Sequence, residues 1–257
     1  MCLTRHAQRV KDEYNESFID LIEDYFGQAE EKLRPDVHPE LMYQVGATPS
    51  YTERAREHCT RIGAYAGDDK PLTVCPPEAD PKWRFFWRIG ERPQQTEFNH
   101  LNAPQVIPAA FPDWAERMDK WGNLMLQACF TAAEMAAHGF GLPDQAFTEL
   151  MNLGPHLLAP TASNLIKHGQ LDTVFASFHY DLNFLTIHGR SRYPGLYAWL
   201  RDGSKLNVRV PPNCLLLQAG KQFEWLTGGH VIAGFHEVVV TPETVAAIER
   251  RRCVALL

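Results

Sequence analysis

The triplet His179-Tyr180-Asp181, followed fifty-odd residues later by His236, constrains this chain more than any other feature. Phe175-Ala176-Ser177-Phe178-His179-Tyr180-Asp181-Leu182-Asn183-Phe184-Leu185-Thr186-Ile187 reads as a strand, a short bend and a second strand. Alternate side chains of a strand share a face, so His179 and Asp181 are expected to point the same way. His236 lies in Ala233-Gly234-Phe235-His236-Glu237-Val238-Val239-Val240, a second β-branched run. A sheet that folds back on itself would set the two runs side by side. Two imidazoles and one carboxylate then suit a divalent metal such as ferrous iron, held on one face with other positions open. Taken alone, His-x-Asp is a common string and reads as an ordinary strand-edge pair. The distant histidine, together with the pattern of residues around both runs, tips the balance toward metal.

Other histidines compete less well. His230 follows Thr227-Gly228-Gly229, where the glycines signal a tight turn, and a turn histidine is more often solvated than ligating. His188 could line a pocket mouth but reads more simply as a polar loop residue before Gly189-Arg190-Ser191. His138 ends a long helical pattern, where it complements the carbonyl end. His156 and His168 have no partner in the sequence.

The 257 residues suffice for one large domain with a substantial core. A net charge of −6 and the lack of a long basic run argue against a nucleic-acid partner. Trp83-Arg84-Phe85-Phe86-Trp87-Arg88 is therefore expected to pack rather than to stack on bases. Cys2, Cys59, Cys75, Cys129, Cys214 and Cys253 show no paired spacing, which suits unpaired thiols in a reduced compartment. Charged residues from Arg5 to Asp12 interrupt any signal-like stretch, and no apolar run approaches membrane-spanning length. A cytoplasmic protein is expected. Asn15-Glu16-Ser17 matches a glycosylation acceptor only formally.

The spacing of Tyr14, Phe18, Leu21, Ile22, Tyr25, Phe26 and Ala29 predicts a helix over 12–33. A second helix is predicted over 52–65, and loops with short strands over 68–112. Asp113 is a fitting N-cap for a helix from Trp114 to about Ala137, and Asp144 for a shorter one through Leu153. Strands should fill 171–240. The chain thus divides into a mainly helical, loop-rich part (1–160) and a β core (161–257) within one domain.

From Phe178 to Val240 the chain resembles the isopenicillin N synthase-like branch of the 2-oxoglutarate and iron(II)-dependent oxygenases. His179-Tyr180-Asp181, Leu185-Thr186, Gly195-Leu196-Tyr197-Ala198, Val210-Pro211-Pro212, Gly220-Lys221 and His236-Glu237-Val238 carry the resemblance, in the family's order and with its gaps. It implies a mixed α+β fold, a double-stranded β-helix (jelly roll) with flanking helices. It also implies iron(II) on His179, Asp181 and His236, with 2-oxoglutarate as co-substrate and oxygen as oxidant for a small organic substrate. The hard chemistry would belong to the cofactor, and the protein would position the substrate and exclude water.

The pattern departs from the family at several places. Glu237 stands where an arginine is usual, Lys221 where the family has Asp, and Asn183 where glycine is common. The family's Arg-x-Ser, which holds the far carboxylate of 2-oxoglutarate, falls on Ala246-Ala247 here; Arg251-Arg252-Cys253 is the nearest equivalent and makes Arg251 the candidate. Thr241-Pro242 equally signals a helix start, which would leave Arg250, Arg251 and Arg252 on a solvated last turn and the barrel incomplete. Two other readings stay open. One is an iron oxidase of the same fold that does not use 2-oxoglutarate, and the other is a truncated, non-catalytic binding module.

Overall fold

The structure, a computed structural model, describes residues 11–251 and 255–256. The α-helices of the described residues are α1 (Asp12–Phe26), α2 (Glu30–Leu33), α3 (Cys59–Ile62), α4 (Trp114–Gly139), α5 (Thr148–Met151), α6 (Leu165–His168), α7 (Lys221–Leu226) and α8 (Pro242–Arg251). The strands are β1 (Gly46–Thr48), β2 (Trp83–Arg88), β3 (Leu157–Leu158), β4 (Thr161–Ser163), β5 (Val174–His179), β6 (Leu185–His188), β7 (Leu196–Trp199), β8 (Lys205–Asn207), β9 (Leu216–Ala219), β10 (Phe235–Val239) and β11 (Ala255–Leu256). They form three antiparallel sheets: β1-β2-β4-β11 with β3 beside β2, then β5-β10-β7-β8, and a separate ribbon β6-β9.

The helical layer follows from apolar spacing. Ile19, Leu21, Ile22, Tyr25 and Phe26 of α1 pack with Trp114 and Met118 of α4 against Phe85 and Trp87 of β2. The aromatic run at 83–88 is thus a strand, and its Phe85 and Trp87 belong to the core, as the packing expectation has it. Farther along α4, Cys129, Ala133 and Ala137 meet Leu185 and Ile187 of β6 and Leu217 and Ala219 of β9. Because strand side chains alternate, Thr186, His188, Leu216 and Gln218 face the other way, into the space between the sheets.

Several expectations are corrected. The predicted helix over 12–33 breaks after Phe26 and resumes for one turn at α2. Only Cys59–Ile62 is helical within 52–65, because that segment offers one buried apolar side chain, Ile62, and no stripe to bury. Asp113 makes no side-chain cap on α4, and the helix after Asp144 begins only at Thr148. Cys59 and Cys75 are joined in a disulfide with Cα atoms 5.5 Å apart, whereas the sequence suggested scattered thiols. Cys129 is a buried free thiol; Cys2 and Cys253 lie outside the described residues. No described helix is long and apolar enough to cross a membrane.

Candidate metal centre

β5 and β10 pair antiparallel with His179 directly opposite His236, so strand register alone brings the two rings together, centroids 4.2 Å apart. Asp181 reaches the same point by another route. β5 ends at His179, so Asp181 sits two residues into the bend rather than on the strand. It is held there by Thr186, whose hydroxyl donates to Asp181 Oδ2 at 2.6 Å. The ligand-type atoms of His179, Asp181 and His236 all lie within 4.8 Å of one another, with His179 Nε2 3.7 Å from Asp181 Oδ1.

The hydrogen bonds fix the tautomers. His179 Nδ1 lies 2.6 Å from the carbonyl of Ser177, and His236 Nδ1 3.1 Å from that of Gly234. A carbonyl only accepts, so each Nδ1 carries a proton, and in the neutral ring that leaves Nε2 as the lone-pair nitrogen. Burial, and then His236, push the His179 imidazole down to about 3, so it is neutral at ordinary pH. Burial opposes ionisation of Asp181, but His236, the Thr186 hydroxyl and His179 outweigh it and hold the carboxyl below its usual range. With neutral rings, two imidazole nitrogens and a carboxylate oxygen converge on one point. Such a donor set fits a divalent cation.

Further residues support the centre that the sequence did not single out. Asp80 Oδ1 accepts from the backbone N–H and hydroxyl of Ser177, at 3.0 and 2.7 Å, and so pins the residue whose carbonyl orients His179. Lys82 is buried and bonds Asp80 Oδ2 at 2.5 Å. Glu237, beside His236, is fully buried and gathers three donors: the N–H of Leu72, the N–H of Thr73 and the Thr73 hydroxyl. The Thr73 hydroxyl in turn accepts from the N–H of Phe178 on β5 at 2.6 Å. Glu237 is thus the knot that ties both ligand strands to the 72–73 segment. Its place beside the second histidine was the available signal.

His188 ends β6 rather than lying in a loop, and faces the triad. Its Nε2 is 2.7 Å from Gln218 Nε2, and burial pushes the ring down to about 4. His230 is exposed on the turn after α7, its ring edge-on to Phe140, and stands outside the metal cluster. His138 is exposed at the end of α4, His156 packs on Phe130 and His168 on Tyr51. The backbone from Pro242 to Arg251 is helical, the second of the two arrangements open in the sequence, and the side chain of Arg251 lies outside the described residues. Thr241 starts this helix, its Oγ1 accepting from Thr244 N–H at 3.3 Å.

Solved structures share this fold. A putative 2OG-Fe(II) oxygenase family protein from Caulobacter crescentus matches with a TM-score of 0.70 at 20% identity, over 96% of this chain and 72% of its own. A full-length Neurospora crassa protein solved in complex with alpha-KG matches at 0.68 and 15% identity, over 90% of this chain and 66% of its own. JOX2 in complex with 2OG, Fe and JA matches at 0.68 and 17% identity, over 94% of this chain. This chain spans 66% and 63% of the lengths of the latter two. No family model and no curated protein sequence matches.

Proposed function

We propose that this chain is an iron(II), 2-oxoglutarate-dependent oxygenase that oxidises a small organic substrate. The observation that carries the reading is the convergence of His179 Nε2, His236 Nε2 and a carboxylate oxygen of Asp181, with both Nδ1 protons committed to backbone carbonyls. The solved structures of like fold support it, since two of them hold 2OG or alpha-KG and one holds Fe. On this reading the β5-β10-β7-β8 sheet and the β6-β9 ribbon are opposite walls of a double-stranded β-helix.

His179, Asp181 and His236 would hold the metal, which when bound supplies oxygen activation coupled to oxidative decarboxylation of 2-oxoglutarate to succinate and carbon dioxide. The chain's own part is orientation. Ser177 O and Gly234 O aim the imidazoles, and Thr186 occupies Asp181 Oδ2, so that Oδ1 would be the oxygen left to ligate. Thr186, His188 and Gln218 line the opposite wall, where the remaining positions would open. Arg251 as the holder of the far carboxylate of 2-oxoglutarate needs a barrel strand there, and the helical backbone of Pro242–Arg251 counts against it. The cytoplasm is the proposed location on the charged stretch from Arg5 to Asp12 alone, since the Cys59–Cys75 disulfide withdraws the support of unpaired thiols.

Titrating 2-oxoglutarate into the iron-loaded chain under nitrogen should raise a metal-to-ligand absorption band, and admitting oxygen should then yield succinate. A band-free titration at millimolar 2-oxoglutarate would overturn the reading. Oxygen uptake without succinate would favour the oxidase, and neither activity the binding module.

A further inference from the structure

Cys59 and Cys75 join two segments that have little structure of their own. α3 is a single turn, and residues 70–78 form no helix or strand. Both ends of the link nevertheless bear on the strands that carry the two histidines. Thr73 stands two residues from Cys75. Its hydroxyl donates to Glu237 Oε2 at 3.0 Å and accepts from the N–H of Phe178 at 2.6 Å, while its own N–H and that of Leu72 donate to the same carboxylate. At the other end, His58 precedes Cys59 and sets its ring 5.1 Å from Tyr180 and 5.0 Å from Phe235. Ile62 of α3 joins Phe178, Trp199 and Phe235 in one buried cluster.

Phe178 is the chain neighbour of His179, and Phe235 and Glu237 flank His236. Alternation along a strand turns such neighbours away from the metal, so the linked loop covers the back of the ligand-bearing sheet. Its middle docks there as well: the Asp69 carbonyl accepts from Trp199 Nε1 at 2.6 Å, and Asp69 Oδ1 from the N–H of Lys205 at 2.8 Å. A cover with so little regular structure is of low local stability and depends on what ties it down. The covalent tie is the disulfide, which limits the freedom of both ends at once. It is also open to attack, since Cys75 is exposed and Cys59 half-buried. In a reducing compartment, the location proposed above, a disulfide is transient or redox-sensing rather than structural.

We propose that the Cys59–Cys75 pair is a thiol-redox switch on iron affinity. The disulfide form holds the back of β5 and β10 and keeps His179 and His236 placed for the metal. The dithiol form loosens the cover and binds iron more weakly. The step is thiol–disulfide exchange with a cellular dithiol. Its thiolate attacks Cys75 Sγ, the Cys59–Cys75 bond breaks, and Cys59 leaves as a thiolate that takes a proton. The second thiol of the reductant then displaces Cys75, so two electrons and two protons pass to the pair and the reductant ends as its own disulfide. The switch rests on the ligand assignment in the reading above, not on the reaction that follows.

The test compares two forms of the full metal-free chain under nitrogen: disulfide-linked, and reduced with dithiothreitol that is then removed by gel filtration. Iron(II) affinity is read by competition with a chromogenic chelator. Reduction should weaken iron about 10-fold or more, the range of losses seen when groups that orient metal ligands are disturbed, and oxidised glutathione should restore it. Cys59→Ser/Cys75→Ser should match the reduced chain and ignore dithiothreitol, which separates this pair from the other cysteines. Amide hydrogen exchange at Thr73 and Phe178 should run about 10-fold or more faster in the reduced, still folded chain. Equal iron affinity in the two forms overturns the proposal. So does unfolding on reduction, which would make the bond a staple rather than a switch. A disulfide-linked parent that binds no iron fails the ligand assignment itself, and the proposal falls with it.

Discussion

The two walls of the candidate metal centre are built differently. β5 and β10 are mostly buried, and Glu237, Thr73, Asp80 and Lys82 bond them to the 72–82 segment through buried contacts. Every residue of β6 and β9 is only half-buried, and the ribbon pairs with neither larger sheet among the described residues. The wall that carries two ligands is cross-braced, whereas the facing wall meets α4 on one side and leaves its other side open. Rigidity is concentrated on the wall that holds the two facing histidines, and half-buried polar side chains on the wall opposite.

The comparison can be broken most forcefully at Glu237. Glu237→Ala leaves three donors on Leu72 and Thr73 without an acceptor, the two on Thr73 buried, and should cost about 3–5 kcal/mol of stability in denaturant titration. His188→Ala on the open wall should cost far less. Equal losses for the two variants would erase the distinction between the walls. For metal affinity, Asp181→Ala removes a ligand and should abolish most iron binding. Thr186→Val removes only the bond that orients Asp181 and should weaken iron about 10–100-fold. Stoichiometric iron retained by Asp181→Ala would sink the ligand assignment.

How legible this was in the sequence differs by residue. His179 and His236 could be read because their strands are β-branched and aromatic runs whose pairing sets the two side chains opposite. Asp181 was read for the wrong local reason: it joins the cluster from a bend fixed by Thr186, not by strand alternation. Glu237 stood out only as a departure from the family pattern, since its three partners are 164–165 residues away in the chain. The same distance hid Asp80 from Ser177, 97 residues on. The Cys59–Cys75 link was hidden in another way. Its 16-residue separation matches no metal or redox spacing, and only the packing of the 53–80 segment brings the two together. At the C-terminus, the Thr241-Pro242 signal indicated α8 correctly.

Acid should sharpen the comparison because both walls carry a depressed histidine, His179 at about 3 and His188 at about 4, each through burial. An unfolded histidine titrates near 6.5, so below that pH the unfolded chain binds protons that these two folded rings refuse. Stability of the metal-free chain should therefore fall as pH drops from about 6.5 toward 4, by up to about 1.4 kcal/mol per pH unit for each ring. His188→Gln should remove one proton's worth of that slope while leaving the pH 8 stability close to the parent. A slope unchanged in His188→Gln would mean that this ring protonates freely in the folded chain and that the open wall is wetter than its burial indicates.

The smallest effect belongs to His230. Gly228 and Gly229 hold positive φ angles of 57° and 82°, so the tight turn that the sequence implied is present. Its carbonyls at Gly229 and His230 accept from Arg201, at 3.3 and 2.8 Å, so the backbone there is anchored independently of the His230 side chain. The ring itself is exposed and meets Phe140 edge-on, a contact worth on the order of 1 kcal/mol or less at the surface. His230→Ala should change iron affinity no more than a few-fold, and stability by less than about 1 kcal/mol. The loop would keep its Arg201 bonds. Loss of iron from a folded His230→Ala protein would mean that the turn closes onto the metal and supplies a ligand in place of His236, and the pairing of His179 with His236 would then be structural only.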